Sequence, residues 1–195
     1  MAATAVESQA MIPRISLAAL ILALALALDV ALAAVAAAPG LPAELAGVYK
    51  HRFANSDMQG DHFTSEDILE IVPVTADAAY VRLHLEFYNG HECAISGIAR
   101  QAGQSLVYDG PADADGKPCR LTLASRGDGI HIFEGENGAC RAQTCGMRGG
   151  YGYKADGPPD FTSGQRRAIR YLPRLVASTE YQSALAEYRA RTKAR

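Results

Sequence analysis

Tyr80-Val81-Arg82-Leu83-His84-Leu85-Glu86-Phe87 runs directly into Tyr88-Asn89-Gly90-His91. Val81, Leu83, Leu85 and Phe87 alternate with Tyr80, Arg82, His84 and Glu86. Successive side chains of a strand point to opposite faces, so this period of two predicts one face in a core and the other in water. Asn-Gly tolerates the positive φ angles of a type I′ turn, which makes the segment the first arm of a hairpin. Its return arm runs from residue 92 to about 99.

Similar segments flank this hairpin, at 48–53, 68–72, 105–109, 119–124, 129–133 and 147–153. Arg126-Gly127-Asp128-Gly129 is a second tight turn, joining Leu121 and Leu123 to Ile130 and Ile132. About eight short strands at regular spacing predict a mainly β fold, a small antiparallel barrel or sandwich spanning residues 41–156. Closure leaves no sheet edge free to aggregate.

Cys93, Cys119, Cys140 and Cys145 complete this frame. The two hairpin registers carry all four to one pole of the sheet. Two pairings remain open. In one, Cys119 joins Cys140 and Cys93 joins Cys145. In the other, Cys140 joins Cys145 and Cys93 joins Cys119. Each bridge contributes on the order of 2–4 kcal/mol. Zinc is disfavoured, because paired short C-x2-C spacings are missing.

Disulfides need an oxidising compartment, and the first residues supply a route to one. Arg14 precedes an apolar run from 15 to 28, Asp29 interrupts it, and Ala36-Ala37-Ala38 leads into Pro39-Gly40. A basic flank, an apolar stretch and a small-residue end form the layout of a signal peptide, read here as residues 1–38. A start at Met11 gives the cleaner signal. The rival reading is a retained anchor helix. With cleavage, the membrane is met only through this segment. No cysteine near its end suggests a lipid anchor.

Charge is uneven along the remainder. Residues 39–163 carry ten basic and seventeen acidic side chains, whereas from Gly164 onward there are eight basic and two acidic. Gly157-Pro158-Pro159-Asp160 marks a linker, so 157–195 reads as linker and basic helical tail of one or two helices. Thr162-Ser-Gly-Gln165 fits a capping box, with a short helix expected from about 163 to 171 that Pro173 bends or ends. A second helix, capped near Ser178 or Thr179, places Tyr181, Leu185 and Tyr188 on one face, packed on the barrel.

Catalytic signatures are missing. His51, His62, His84, His91 and His131 form neither a zincin motif nor a nucleophile elbow. His84 and His131 are expected on outward strand faces, and Glu66, Asp67 and Glu70 on an acidic surface. Cys140 and Cys145 are spaced too widely for a redox dithiol. The run from Gly146 to Tyr153 is glycine-rich without being a phosphate loop, and reads as a curved strand. Arg148, Tyr151 and Tyr153 are the candidate binding edge, with packing at the barrel rim as the alternative. No catalytic residue, metal or cofactor is implied. Nucleic acid is no partner for an exported chain, and the sequence carries no signal for oligomeric state.

Phe87-Tyr-Asn-Gly-His-Glu-Cys93-Ala-Ile-Ser-Gly-Ile-Ala99, Cys119-Arg-Leu-Thr-Leu, and Cys140-x4-Cys145-Gly-Met-Arg-Gly149 together carry a resemblance. The pattern resembles exported proteobacterial proteins grouped with lysozyme-inhibitor-like domains, over roughly residues 45–153. The resemblance implies a periplasmic or secreted β-barrel that is a binding protein rather than an enzyme, and inhibition of a cell-wall lytic enzyme such as lysozyme. An acidic barrel suits such a basic partner. Two other functions stay open: a small-ligand carrier with a barrel cavity, and an envelope hydrolase whose site assembles only in three dimensions.

Overall fold

A computed structural model describes residues 45–152 and 157–193. The signal segment, residues 1–38, and Tyr153 lie outside the described residues. The fold is mainly β, a nearly closed antiparallel barrel with C-terminal helices. Its strands are β1 (Gly47–Ser56), β2 (His62–Pro73), β3 (Ala78–Glu86), β4 (Glu92–Ala102), β5 (Ser105–Ala112), β6 (Pro118–Arg126), β7 (Gly129–Glu134), β8 (Phe161–Thr162) and β9 (Arg166–Arg167). They form one sheet in the order β8-β7-β6-β5-β4-β3-β2-β1-β9.

The hairpin that opens the sequence reading is present, but Tyr88–Gly90 form a three-residue 3-10 turn in place of the two-residue type I′ turn, which shifts the register by one. Val81 faces Gly97, Leu83 faces Ile95 and Leu85 faces Cys93. Asn89 and Gly90 take the left-handed conformation, at φ 60° and 67°. Phe87 N–H donates to the His91 carbonyl at 2.7 Å and closes the turn.

Val81, Leu83 and Leu85 point inward, where they meet Leu69, Leu106, Leu121 and Phe161 in one cluster. Burying each such side chain contributes about 1.5–3 kcal/mol, so this filled interior is the main stabilising element. The outward face of β3 is only partly wet. Tyr80 is wholly buried against Tyr181, ring centroids 4.9 Å apart, with Val72 and Leu175 beside them.

The helices responsible are α2 (Leu172–Val176) and α3 (Thr179–Lys193), which follow α1 (Ala139–Thr144). Ser178 Oγ accepts the Tyr181 N–H at 3.2 Å, satisfying one of the N–H groups that a helix start leaves free. Tyr181, Leu185 and Tyr188 face the barrel as their spacing predicts. Tyr181 and Leu185 join the second apolar cluster, and the Arg100 guanidinium lies 5.1 Å from the Tyr188 ring.

Three further expectations need correction. Residues 163–171 are not a helix. Ser163–Gln165 makes a single 3-10 turn, and Gln165 Oε1 accepts the Thr162 N–H at 2.7 Å. Arg166 and Arg167 then pair with Tyr49 and Val48. That pairing supplies partners to the edge of β1, a gain that outweighs local helix preference. Pro173 sits in the first turn of α2, where its missing N–H costs nothing.

Residues 147–152 are not a strand either. Gly146 to Gly149 form a turn, and Gly152 alone bridges to Phe133. Two disulfides fix the ends of α1, at Cys140 in its first turn and at Cys145 just past its last residue. Finally, His131 and Glu70 are buried rather than outward and wet.

Candidate functional site

Loops 57–61, 87–91 and 113–117 meet segment 135–150 at one pole of the barrel. Both disulfides lie there, Cys93–Cys145 and Cys119–Cys140, and no described cysteine is free. The first of the two open pairings is therefore the one adopted. α1 carries Cys140 in its first turn and ends at Cys145, so each bridge fixes one end of it. Glu134 anchors its start, its buried carboxylate accepting the Arg141 N–H at 3.1 Å. The period of β7 places this glutamate on the same face as the buried Ile130 and Ile132.

Two of the pole loops are built alike. In Asp57-Met-Gln-Gly60-Asp61, Asp57 Oδ1 accepts the N–H groups of Gln59 and Asp61, each at 2.9 Å. In Asp113-Ala-Asp-Gly116-Lys117, Asp113 Oδ1 accepts those of Asp115 and Lys117 at 3.0 and 2.8 Å. Gly60 and Gly116 occupy the same position at φ 86° and 77°. An aspartate bonding its own loop in this way fixes the loop without an extended core.

Side chains tie the loops together. The Tyr88 hydroxyl donates to the Asp57 carbonyl at 3.0 Å, and Asn89 Oδ1 accepts the Met58 N–H at 3.3 Å. The Arg148 guanidinium stands 5.6 Å from the centre of the Tyr88 ring. Gly146 N–H donates to the Glu92 carbonyl at 2.8 Å. Gly149 packs on the bridge itself, where a Cβ would stand 2.7 Å from Cys93 Sγ.

The turn from Gly146 to Gly149 consequently projects Met147, which is 94% exposed. Met58 is 66% exposed and Tyr88 41% exposed. Exposed large apolar side chains among the described residues are Met58, Phe63, Tyr88, Met147 and Leu172, and three of them lie on these joined loops. Scattered apolar exposure is ordinary, whereas clustering on one rigid surface marks a contact site.

The candidate edge of Arg148, Tyr151 and Tyr153 is divided. Arg148 is on this surface. Tyr151 is buried, its hydroxyl 2.8 Å from Thr144 Oγ1, and burial pushes its pKa up to about 12. It belongs to the packing of the rim. Sequence reasoning missed Met58, Tyr88 and Met147, because an exposed methionine has no pattern in one dimension.

Three histidines meet carboxylates in separate places. His84 Nε2 is 2.8 Å from Glu92, His131 Nε2 is 3.0 Å from Asp128, and His51 Nδ1 is 3.6 Å from Asp67. No group of three or more His, Cys, Asp or Glu side chains among the described residues could hold a metal ion. No helix among them is long and apolar enough to cross a membrane.

Fold and site together define a class: an antiparallel barrel, locked by two disulfides, with exposed apolar side chains on the loops of one pole. Two disulfides are the pattern of a non-cytoplasmic, oxidising compartment. No family model, curated protein or solved structure matches the chain.

Proposed function

We propose that the protein is an exported, non-enzymatic binding protein of the periplasm or extracellular space. Its loop pole engages and inhibits a basic cell-wall lytic enzyme of the lysozyme type. The observation that carries this reading is the placement of Met58, Tyr88, Met147 and Arg148 on loops 57–61 and 146–149 and on loop 87–91, which touches both. Methionine adapts to a partner's relief, while tyrosine and arginine are enriched among the residues that dominate interface energy. Disulfides at both ends of α1 order the surface before binding, which lowers the entropy lost on association. The acidic excess of residues 39–163 speeds encounter with a basic protein.

Buried side chains among the described residues occupy the barrel interior, which favours surface binding over carriage in an internal chamber. A hydrolase would need a cleft joining histidine and carboxylate, whereas the grooves lined by Tyr108 and Tyr188, by Ile169 and Leu172, and by Leu45 and Ile130 hold no histidine among their described residues.

The test is lytic rate. Oxidised protein is added in micromolar excess to lysozymes of several types, alone and as the triple variant Met58→Ser, Tyr88→Ala, Met147→Ser. Inhibition by the parent, weakened in the variant and by added salt, is the expected result. Undiminished lysis across all types would end the reading.

A further inference from the structure

β4 and β5 are neighbours, yet they pair through four residues each, from Ala99 opposite Tyr108 to Ala102 opposite Ser105. Beyond that point each stays paired on its far side. β4 follows β3 down to Glu92, and β5 follows β6 to Asp109 and again at Ala112. On the parted edge of β4, Glu92 and Cys93 find backbone partners at Gly146 and Cys145. Between there and Ala99, residues 94–98 have no strand partner on this edge among the described residues. A closed barrel leaves no edge, so this gap is an exception within its own sheet.

The cause of the parting is visible. The Tyr108 ring lies across Gly97 and beside Gly110. A Cβ on Gly97 would stand 2.4 Å from that ring, and one on Gly110 would stand 2.8 Å from it. The register of β5 shifts between Asp109 and Ala112, and Pro111 within it has no N–H to offer. The β5 side is thus a poor template. On the β4 side, Ala94-Ile-Ser-Gly-Ile98 carries neither proline nor charge to block a visiting strand.

Over this gap a groove of about 960 Å³ runs between the sheet and α3. Ser96, Ile98 and Tyr108 lie on the sheet side, Glu187, Tyr188 and Arg191 on the helix side. Arg191 reaches across, donating to the Asp109 carbonyl at 3.1 Å.

We propose that this edge binds an extended peptide segment of another protein, which adds to β4 as a strand along residues 94–98. Five strand residues span about 17 Å, and a row of N–H and C=O groups at strand spacing is matched by the main chain of another strand. Charge in the groove does not favour an ion. Arg120 pairs with Asp109 at 2.6 Å and Arg191 with Glu187 at 3.7 Å, while Arg100 stacks on Tyr188. Recognition therefore falls on the peptide backbone, with side-chain preference set by the α3 wall. This site lies on the barrel's flank and does not depend on the inhibitory reading of the pole.

The experiment pans a display library of random peptides, about five residues or longer to match the strand repeat, against the oxidised full chain. An enriched peptide is then titrated with and without N-methylation at single positions. Amide exchange is followed residue by residue. Binding should slow exchange at alternate residues of 94–98, and N-methylation at alternate peptide positions should cost about tenfold in affinity, the worth of one backbone bond.

Failure to enrich any peptide would overturn the proposal. So would a bound peptide that leaves the 94–98 amides unchanged or tolerates every N-methyl group. Protection that appears without peptide and grows with protein concentration would assign the edge to a second copy, which also overturns it.

Discussion

Glu70 and Arg82 stand directly opposite each other on β2 and β3, and the guanidinium grips both carboxylate oxygens of the glutamate. The Glu70 side chain is 1% exposed and that of Arg82 39% exposed. The Tyr171 hydroxyl also donates to Glu70, and Arg82 Nη1 reaches Glu180 of α3 at 3.4 Å. A buried acid thus joins the barrel wall to the helices that cover it.

Unequal burial makes the two halves of this pair unequal in effect. Arg82→Ala leaves a carboxylate in the interior with Tyr171 alone, and should cost about 3 kcal/mol. Glu70→Gln leaves a guanidinium that turns to water, and should cost about 1 kcal/mol. Urea unfolding of both variants checks the order.

The two disulfides enclose chain segments of different length, with separations of 52 and 21 residues. Chain entropy then gives about 4 kcal/mol to Cys93–Cys145 and about 3 kcal/mol to Cys119–Cys140. Replacing each pair by alanine should lower the unfolding free energy in that order. Peptide mapping of the oxidised protein should recover the same two pairs.

The matching loops of Asp57 and Asp113 should respond alike. Asp57→Ala and Asp113→Ala each remove an acceptor of two backbone N–H groups and should cost about 1 kcal/mol apiece. Asn in place of either keeps the acceptor and should recover most of the loss. Thermal melting of the four variants measures it.

Neighbouring carboxylates on β2 should give pH dependences of opposite sign. Hydrogen bonds from Lys50 and Arg52, each at 2.6 Å, hold the Glu66 pKa below its ordinary value. Its contribution is full above the unfolded value of about 4.3 and is lost as pH falls through the folded pKa. Glu66→Gln should therefore flatten the acid limb of the stability curve. Burial raises the Asp67 pKa despite the bond it accepts from Glu86 N–H. Its contribution is present below the unfolded value and lost as pH rises through the folded one. Asp67→Asn keeps an acceptor and should gain stability at neutral pH. Denaturant titrations across acid and neutral pH test both.

Legibility followed period and distance. The β3–β4 hairpin was readable because its alternation and its Asn89-Gly90 turn lie within a dozen residues. The N-cap of α3 and its barrel-facing tyrosines were readable for the same reason. Arg166 and Arg167 were not, because what makes them a strand is the edge of β1, more than a hundred residues earlier in the chain. Glu70 occupies an outward position by period and is buried by Arg82 and Tyr171, a contact across 101 residues. Of the candidate edge, Arg148 reached the surface and Tyr151 did not, since burial of a tyrosine depends on which side of the disulfide its loop folds.

Local pattern alone determined the mainly β class, the places where the hairpins turn, the cysteine pole and the capped C-terminal helix. Each of these is set by interactions within a few residues or by compartment chemistry. Tertiary structure decided which cysteines pair, what covers Tyr80, where β4 and β5 part, and which apolar side chains meet at the pole. Those outcomes follow from packing between segments distant in the chain, where burial and backbone pairing outweigh local preference.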